Sequence, residues 1–259
     1  VERIIPYGAQ PPSYHVQIPL LSLAHLFETT VDTVPNALPY IHPPHSDVIL
    51  PESVLSSESS QSLLKVGLVW SGNAENPYNR TRAVPLETLL QLVSIPGVEW
   101  YSLQKDLQPG DRELLQAHPE IHDLRPLMSS FVDTAALIQQ LDLVISVDTS
   151  VTHLTGALGK PVWLLLPYAP DWRWMLHRTD SPWYPTMRIF RQSTVGDWET
   201  VLGQVQAVLV EKQGRGQTAD GIGKVEERRK EPGGRRQEAE DRNQEPGDRE
   251  EHLELNTQN

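Results

Sequence analysis

Leu143-Val-Ile-Ser-Val-Asp148-Thr-Ser-Val-Thr-His153-Leu-Thr-Gly-Ala-Leu-Gly159-Lys-Pro161 is the stretch from which the fold can be read. Residues 143–147 are apolar except for Ser146, short enough for a strand and too short for a helix of ordinary length. Asp148, Thr149 and Ser150 then lead into a pattern that reads as a helix over 150–158, closed by Gly159. Pro161 introduces a second apolar run, Val162 to Leu166. Strand, helix and strand within so few residues form a βαβ unit. Strands apolar on both faces belong to a parallel sheet covered by helices on both sides.

Working outward, the same rhythm begins at Lys65. Strands are expected over 65–70, 98–103, 121–124 and 187–190. Helices are expected over 86–93, 112–117, 134–141 with Asp133 as N-cap, and a terminal amphipathic one over 198–210. The fold class is therefore α/β: a Rossmann-like parallel sheet with helices on both faces, spanning residues 63–211. Ahead of it, residues 1–45 are rich in proline, with one short helix over 20–27, and read as the trailing edge of a preceding domain. Residues 46–62 are rich in Ser and Glu and read as a linker. From Lys212 onward almost nothing is apolar, so 212–259 read as a disordered charged tail that cannot bury enough surface to offset its ordering entropy. The chain opens on Val1, already in mid-pattern, as a fragment or a processed product would.

The formal net charge is -12 over 259 residues. That argues against a nucleic-acid binder, which needs a basic face, yet it leaves room for a local pocket of arginines around an anion. The chain has no cysteine, which removes disulfides, thiolate catalysis and cysteine zinc sites and fits a reducing, cytoplasmic setting. No apolar run approaches the ~20 residues that span a bilayer, and no signal peptide opens the chain.

In an open parallel sheet, ligands bind beyond the carboxyl ends of the strands. The turn at Asp148 is the most informative such place. The free N–H groups and positive end of the following helix suit an anion, and the hydroxyls of Thr149 and Ser150 add donors. His153, one turn into the helix, faces back toward the same place. The competing reading is an ordinary helix N-cap with a packed or exposed histidine. After Trp70 comes a loop in which Gly72 permits close backbone approach, and Arg80 and Arg82 carry charge suited to a diphosphate. Gln104 and Lys105 follow the next strand. Taken singly, these basic residues fit a solvated loop equally well. The aromatics Trp172, Trp174, Trp183 and Tyr184 serve either as stacking platforms or as core anchors, and spacing alone leaves both open.

The dinucleotide fingerprint, the Walker phosphate loop and the hydrolase nucleophile elbow are all absent. No His-Glu-x-x-His run and no close carboxylate pair marks a metal site, so the expectation is metal-independent chemistry on a phosphate-bearing ligand, with no cofactor.

Taken together, these segments resemble the heptosyltransferase-like glycosyltransferases of family nine. The likeness is carried by residues 143–161, then Leu165-Leu-Pro-Tyr-Ala-Pro-Asp-Trp-Arg-Trp174 and Asp180-Ser-Pro-Trp-Tyr-Pro185. The longer form is similar to the transferase-like region found behind tetratricopeptide repeats in many bacterial proteins. The resemblance implies the second half of a GT-B fold, in which this domain holds the diphosphate of a nucleotide sugar. It implies that Asp148, Thr149, Ser150 and His153 line the diphosphate, with Arg82 against the phosphates and Arg80 a neighbour. It also implies sugar transfer to a hydroxyl acceptor on a glycan or protein, without a metal. In such enzymes the general base usually comes from the first domain, of which residues 1–45 would be only the end. The chain is therefore expected to bind a donor and to be inactive alone. The competing classes are a module that binds a nucleotide sugar or a protein without turnover, and an epimerase or hydrolase of nucleotide sugars, for which no acid–base pair stands out.

Overall fold

The computed structural model describes residues 5–6, 8–51 and 63–222, with side chains as far as residue 213. Six strands form one sheet: β1 (Leu64–Val69), β2 (Val98–Ser102), β3 (Ile121–Asp123), β4 (Leu143–Val147), β5 (Val162–Leu166) and β6 (Met187–Arg191). Their order is β3-β2-β1-β4-β5-β6, and every neighbouring pair is parallel. This is the doubly wound order, with the chain reversing its direction of travel between β1 and β4.

The helices are α1 (Leu23–Leu26), α2 (Asn79–Arg82), α3 (Leu86–Leu89), α4 (Asp111–Ala117), α5 (Phe131–Gln139), α6 (Ser150–Ala157) and α7 (Trp198–Ile222). They cover both faces, and the strands alternate between two cores. In β5, Trp163 and Leu165 pack with residues of α3 and α7, while Val162, Leu164 and Leu166 pack with residues of α5 and α6. All five are buried, which is why this strand reads as an unbroken apolar run. Ser146, the polar exception in β4, is fully buried too; its hydroxyl accepts from Thr152 Oγ1 of α6 at 2.8 Å and donates to the Val147 carbonyl.

Several boundaries differ from those the sequence predicts. Helix α5 starts at Phe131, a turn before the expected Thr134, because Ser130 and not Asp133 is its N-cap. The two form a capping box: Ser130 Oγ accepts from the Asp133 amide at 3.3 Å, and Asp133 Oδ2 accepts from the Ser130 amide at 2.9 Å. The helix expected over 86–93 is α-helical only to Leu89 and tightens into a 3-10 turn over Leu90–Leu92, ahead of Pro96 and the positive-φ Gly97. The stretch Asn79–Arg82, read as loop, is one helical turn.

Helix α7 runs to Ile222 and so passes both its expected end at Val210 and the start of the segment read as disordered. No proline or glycine stops it at that point, and Gln213 ties it down by donating from Nε2 to the Pro96 carbonyl at 2.8 Å. Residues 223–259, the rest of the expected tail, lie outside the described residues.

Residues 38–50 form a strap along α5 and α6. The amide of Tyr40 donates to Ala157 at 3.0 Å, and Ser46 Oγ donates to Asp133 Oδ1 at 3.1 Å. Gln140 grips the far end: its Oε1 accepts from the Leu50 amide at 3.1 Å and its Nε2 donates to the Val48 carbonyl at 3.0 Å. Leu50 is buried in the core behind α5. Gln140→Ala removes both strap bonds and is expected to cost roughly 1–2 kcal/mol. Denaturant melts and limited proteolysis check this: cleavage within 38–50 should accelerate, and an unchanged digestion pattern would show that Gln140 does not hold the strap.

Candidate active site

The reversal between β1 and β4 opens a crevice at the carboxyl ends of these strands. A cleft of about 880 Å3 lies there. Arg82, Lys105, Asp148, Thr149, Ser150 and His153 all line it. Arg80 does not; it is exposed on α2 and is not among the lining residues.

Each side chain is held by its local fold. After β1, the loop Ser71-Gly72-Asn73 is braced by buried Gln104. Its Oε1 accepts from the amides of Trp70 and Ser71, both at 3.0 Å, and its Nε2 donates to the carbonyl and hydroxyl of Ser71. Asn79 Oδ1 accepts from the Gly72 amide at 2.7 Å, which fastens α2 to the loop. Arg82, at the end of α2, lays its guanidinium over Gly72 so closely that a Cβ there would displace it. This is the close approach that a glycine permits. Arg82 Nη1 donates to the Asp148 carbonyl at 2.6 Å, while its buried Nε has no hydrogen-bond partner. Among the described residues Arg82 makes no ion pair. Lys105 donates to the Met128 carbonyl.

On the β4 side, Thr149 is the N-cap of α6 but its side chain makes no capping bond; its hydroxyl lies 3.3 Å from Ser146 Oγ. The first amides of α6 therefore face the cleft without a side-chain cap, the arrangement that suits an anion. Asp148 and His153 are coupled, with Oδ1 and Nε2 3.6 Å apart. Arg173 Nη1 reaches the same Nε2 at 3.3 Å, and Arg173 Nε pairs with Asp171 Oδ1 at 3.0 Å. Burial pushes the Asp148 carboxyl up, but the polar edges of His153 and Trp174 close to it, with the positive fields of His153 and Arg173, outweigh burial and hold the group below its ordinary value.

The aromatics divide between their two readings. Trp174 is buried and stacks under the His153 ring, centroids 5.3 Å apart. Tyr184 is buried against α6, its hydroxyl 2.9 Å from His153 Nδ1. Trp183 donates from Nε1 to the Arg173 carbonyl at 2.9 Å. Trp174 and Tyr184 thus frame the histidine as core anchors, Trp183 packs half-buried beside them, and Trp172, though exposed, is not among the residues lining the cleft. Sequence reading missed Arg173 and Asp171 as site residues. Their signal was only their place after β5, in a loop too long for spacing to say which side chains turn inward. Among the described residues no group of three or more His, Asp or Glu is placed to hold a metal, and no helix is long and apolar enough to cross a membrane.

Gly156 lies under Tyr184: a Cβ there would fall 2.5 Å from the ring. Gly156→Ala is expected to destabilise by about 1–3 kcal/mol and to shift the aromatic resonances of His153 and Tyr184; unchanged spectra and melting would refute the contact. Asp148, with its folded value lowered, contributes stability above the ordinary 3.8 that is lost as pH falls through the folded value. Asp148→Asn should therefore be less stable than the parent at neutral pH, with the gap closing below about pH 4, as urea melts across pH would record.

Residues 112–191 match the family model described as glycosyltransferase family 9 (heptosyltransferase). The family resemblance read from the sequence thus holds for this region, which contains the β4–α6 turn, β5 and β6. A curated relative, Protein FlbA of Caulobacter vibrioides, is 31% identical over 152 residues, 56% of this chain and 25% of the relative. The chain thus spans about a quarter of that protein's length. Two solved structures are similar at lower levels. One is a glycosyl transferase family 9 from Veillonella parvula, 16% identical, covering 53% of this chain and 38% of the other with a TM-score of 0.38. The other is the E. coli ADP-heptose LPS heptosyltransferase II, 14% identical, covering 61% of this chain and 50% of the other with a TM-score of 0.42.

Proposed function

We propose, from the family 9 match and the geometry of the cleft, that this chain forms the donor-binding half of a GT-B glycosyltransferase that takes a nucleotide-diphosphate sugar and delivers the sugar to a hydroxyl acceptor. The observation that carries the reading is Arg82: a half-buried guanidinium with no carboxylate partner among the described residues, one nitrogen unbonded, seated beside the uncapped start of α6. A buried cation without a counter-charge is costly unless an anion is to fill the place.

In this reading the diphosphate lies between Arg82 and α6, with Ser150 and Thr149 adding hydroxyl donors. The acceptor oxygen bonds to the anomeric carbon as the carbon–oxygen bond to the diphosphate breaks. The charge that develops on the leaving diphosphate is met by the guanidinium and the helix dipole, both already in place. Placement behind tetratricopeptide repeats in a longer protein belongs to the same proposal. So does a general base from a domain outside the described residues. A binding module without turnover is the second reading. It is favoured by the engagement of Asp148 with His153 and of Asp171 with Arg173, which leaves neither carboxylate free to take the acceptor's proton.

Uridine, adenosine or guanosine diphosphate at millimolar concentration should raise the melting temperature of the chain. Arg82→Ala should abolish that shift while moving the ligand-free melting temperature by no more than a few degrees. A panel without any shift would sink the donor site; a shift that survives Arg82→Ala would remove Arg82 from it. Transfer to an acceptor, measured on the longer natural protein, separates enzyme from binding module.

A further inference from the structure

His153 is held from four sides. Asp148 Oδ1 approaches Nε2 at 3.6 Å from the β4–α6 turn, and Arg173 Nη1 approaches it at 3.3 Å from the loop after β5, itself paired with Asp171. Trp174 stacks beneath the ring. At Nδ1 stands the Tyr184 hydroxyl, 2.9 Å away, from the segment before β6. Tyr40 of the strap donates in turn to the Tyr184 oxygen at 3.4 Å, and His42 lines the same apolar recess as His153 on the strap side.

A guanidinium can only donate. With Arg173 donating to Nε2, that nitrogen is an acceptor, so the proton of the neutral ring sits on Nδ1 and is donated to the Tyr184 oxygen. If Nε2 gains a proton, it turns from Arg173 to the Asp148 carboxylate or to an anion in the cleft, and Nδ1 keeps its proton and its partner. Burial pushes the Tyr184 hydroxyl far above its ordinary value, so the phenol stays neutral throughout. We propose that Tyr184 is a positioning residue: by accepting from Nδ1 it works with Arg173, the donor at Nε2, to keep the ring proton on Nδ1, and so makes Nε2 the one atom of His153 that switches, from acceptor toward Arg173 to donor toward an anionic ligand. Binding of a diphosphate is then accompanied by uptake of a proton at Nε2, and Tyr40 ties the strap to that same switch. The ligand-linked part rests on the donor-site reading; the placement of the ring proton does not.

The two parts are tested separately on the full chain. Nitrogen-15 spectra of the histidines, with the His153 signals assigned by their loss in His153→Gln, should show a protonated Nδ1 and an unprotonated Nε2 in the neutral ring. A neutral ring protonated at Nε2 overturns the proposal without any further variant. Tyr184→Phe keeps the ring against Gly156 and removes only the hydroxyl. With only Arg173 left to fix the tautomer, it should raise the share of the ring protonated at Nε2, and an unchanged share overturns the proposal as well. Calorimetry with uridine, adenosine and guanosine diphosphate in two buffers of different ionisation enthalpy should show proton uptake, with affinity roughly tenfold weaker in Tyr184→Phe, the scale of one lost hydrogen bond. Binding without proton uptake overturns the ligand-linked part. Binding by none of the three diphosphates defeats the donor-site reading, while the spectra still decide the role of Tyr184.

Discussion

The reversal of strand order between β1 and β4 is the constraint on which the site depends. Right-handed crossovers place the helices that follow β1 and those that follow β4 on opposite faces of the sheet. The loops leaving these two adjacent strands must therefore diverge, and a crevice opens between them at their carboxyl ends. Arg82 comes from one loop and Asp148 from the other, and the 2.6 Å bond from the guanidinium to the Asp148 carbonyl spans the gap. That bond uses a backbone acceptor. It fixes the cation without neutralising it.

Rigidity is supplied from behind. Gln104, buried at the end of β2, occupies both ends of its amide with the backbone around Ser71, and Asn79 fastens α2 to the same loop. On the other side Ser146 and Thr152 lock the start of α6 to β4 through buried hydroxyls. Groups held this way need little reorganisation when charge develops beside them, which is the condition for electrostatic stabilisation to act.

The family match and the geometry bear on different parts of the cleft. The matched residues, 112–191, include Asp148, His153 and Arg173 but stop short of β1 and of Arg82. That Arg82 nonetheless lies on Asp148 is a separate observation from the structure, and it ties the unmatched β1 loop to the matched turn.

The sequence by itself determined the sheet, its parallel sense and the region of the site. Apolar strands of five residues between helical patterns have one economical packing, and the ligand edge of that packing follows from strand direction. It also placed Asp148, Thr149, Ser150 and His153 together, because a strand-to-helix turn is local. Only the tertiary structure decided what depends on distant contacts. It separated Arg82 from Arg80, since one residue turns inward at the end of a single helical turn and the other does not. It made Trp174 and Tyr184 supports of His153 and not platforms for a ligand, and it brought Arg173 into the cleft. It also carried α7 beyond Val210, where Gln213 finds Pro96 across a separation no periodicity reports. Side-chain periodicity records which face of an element is buried; it carries no information about which distant element buries it.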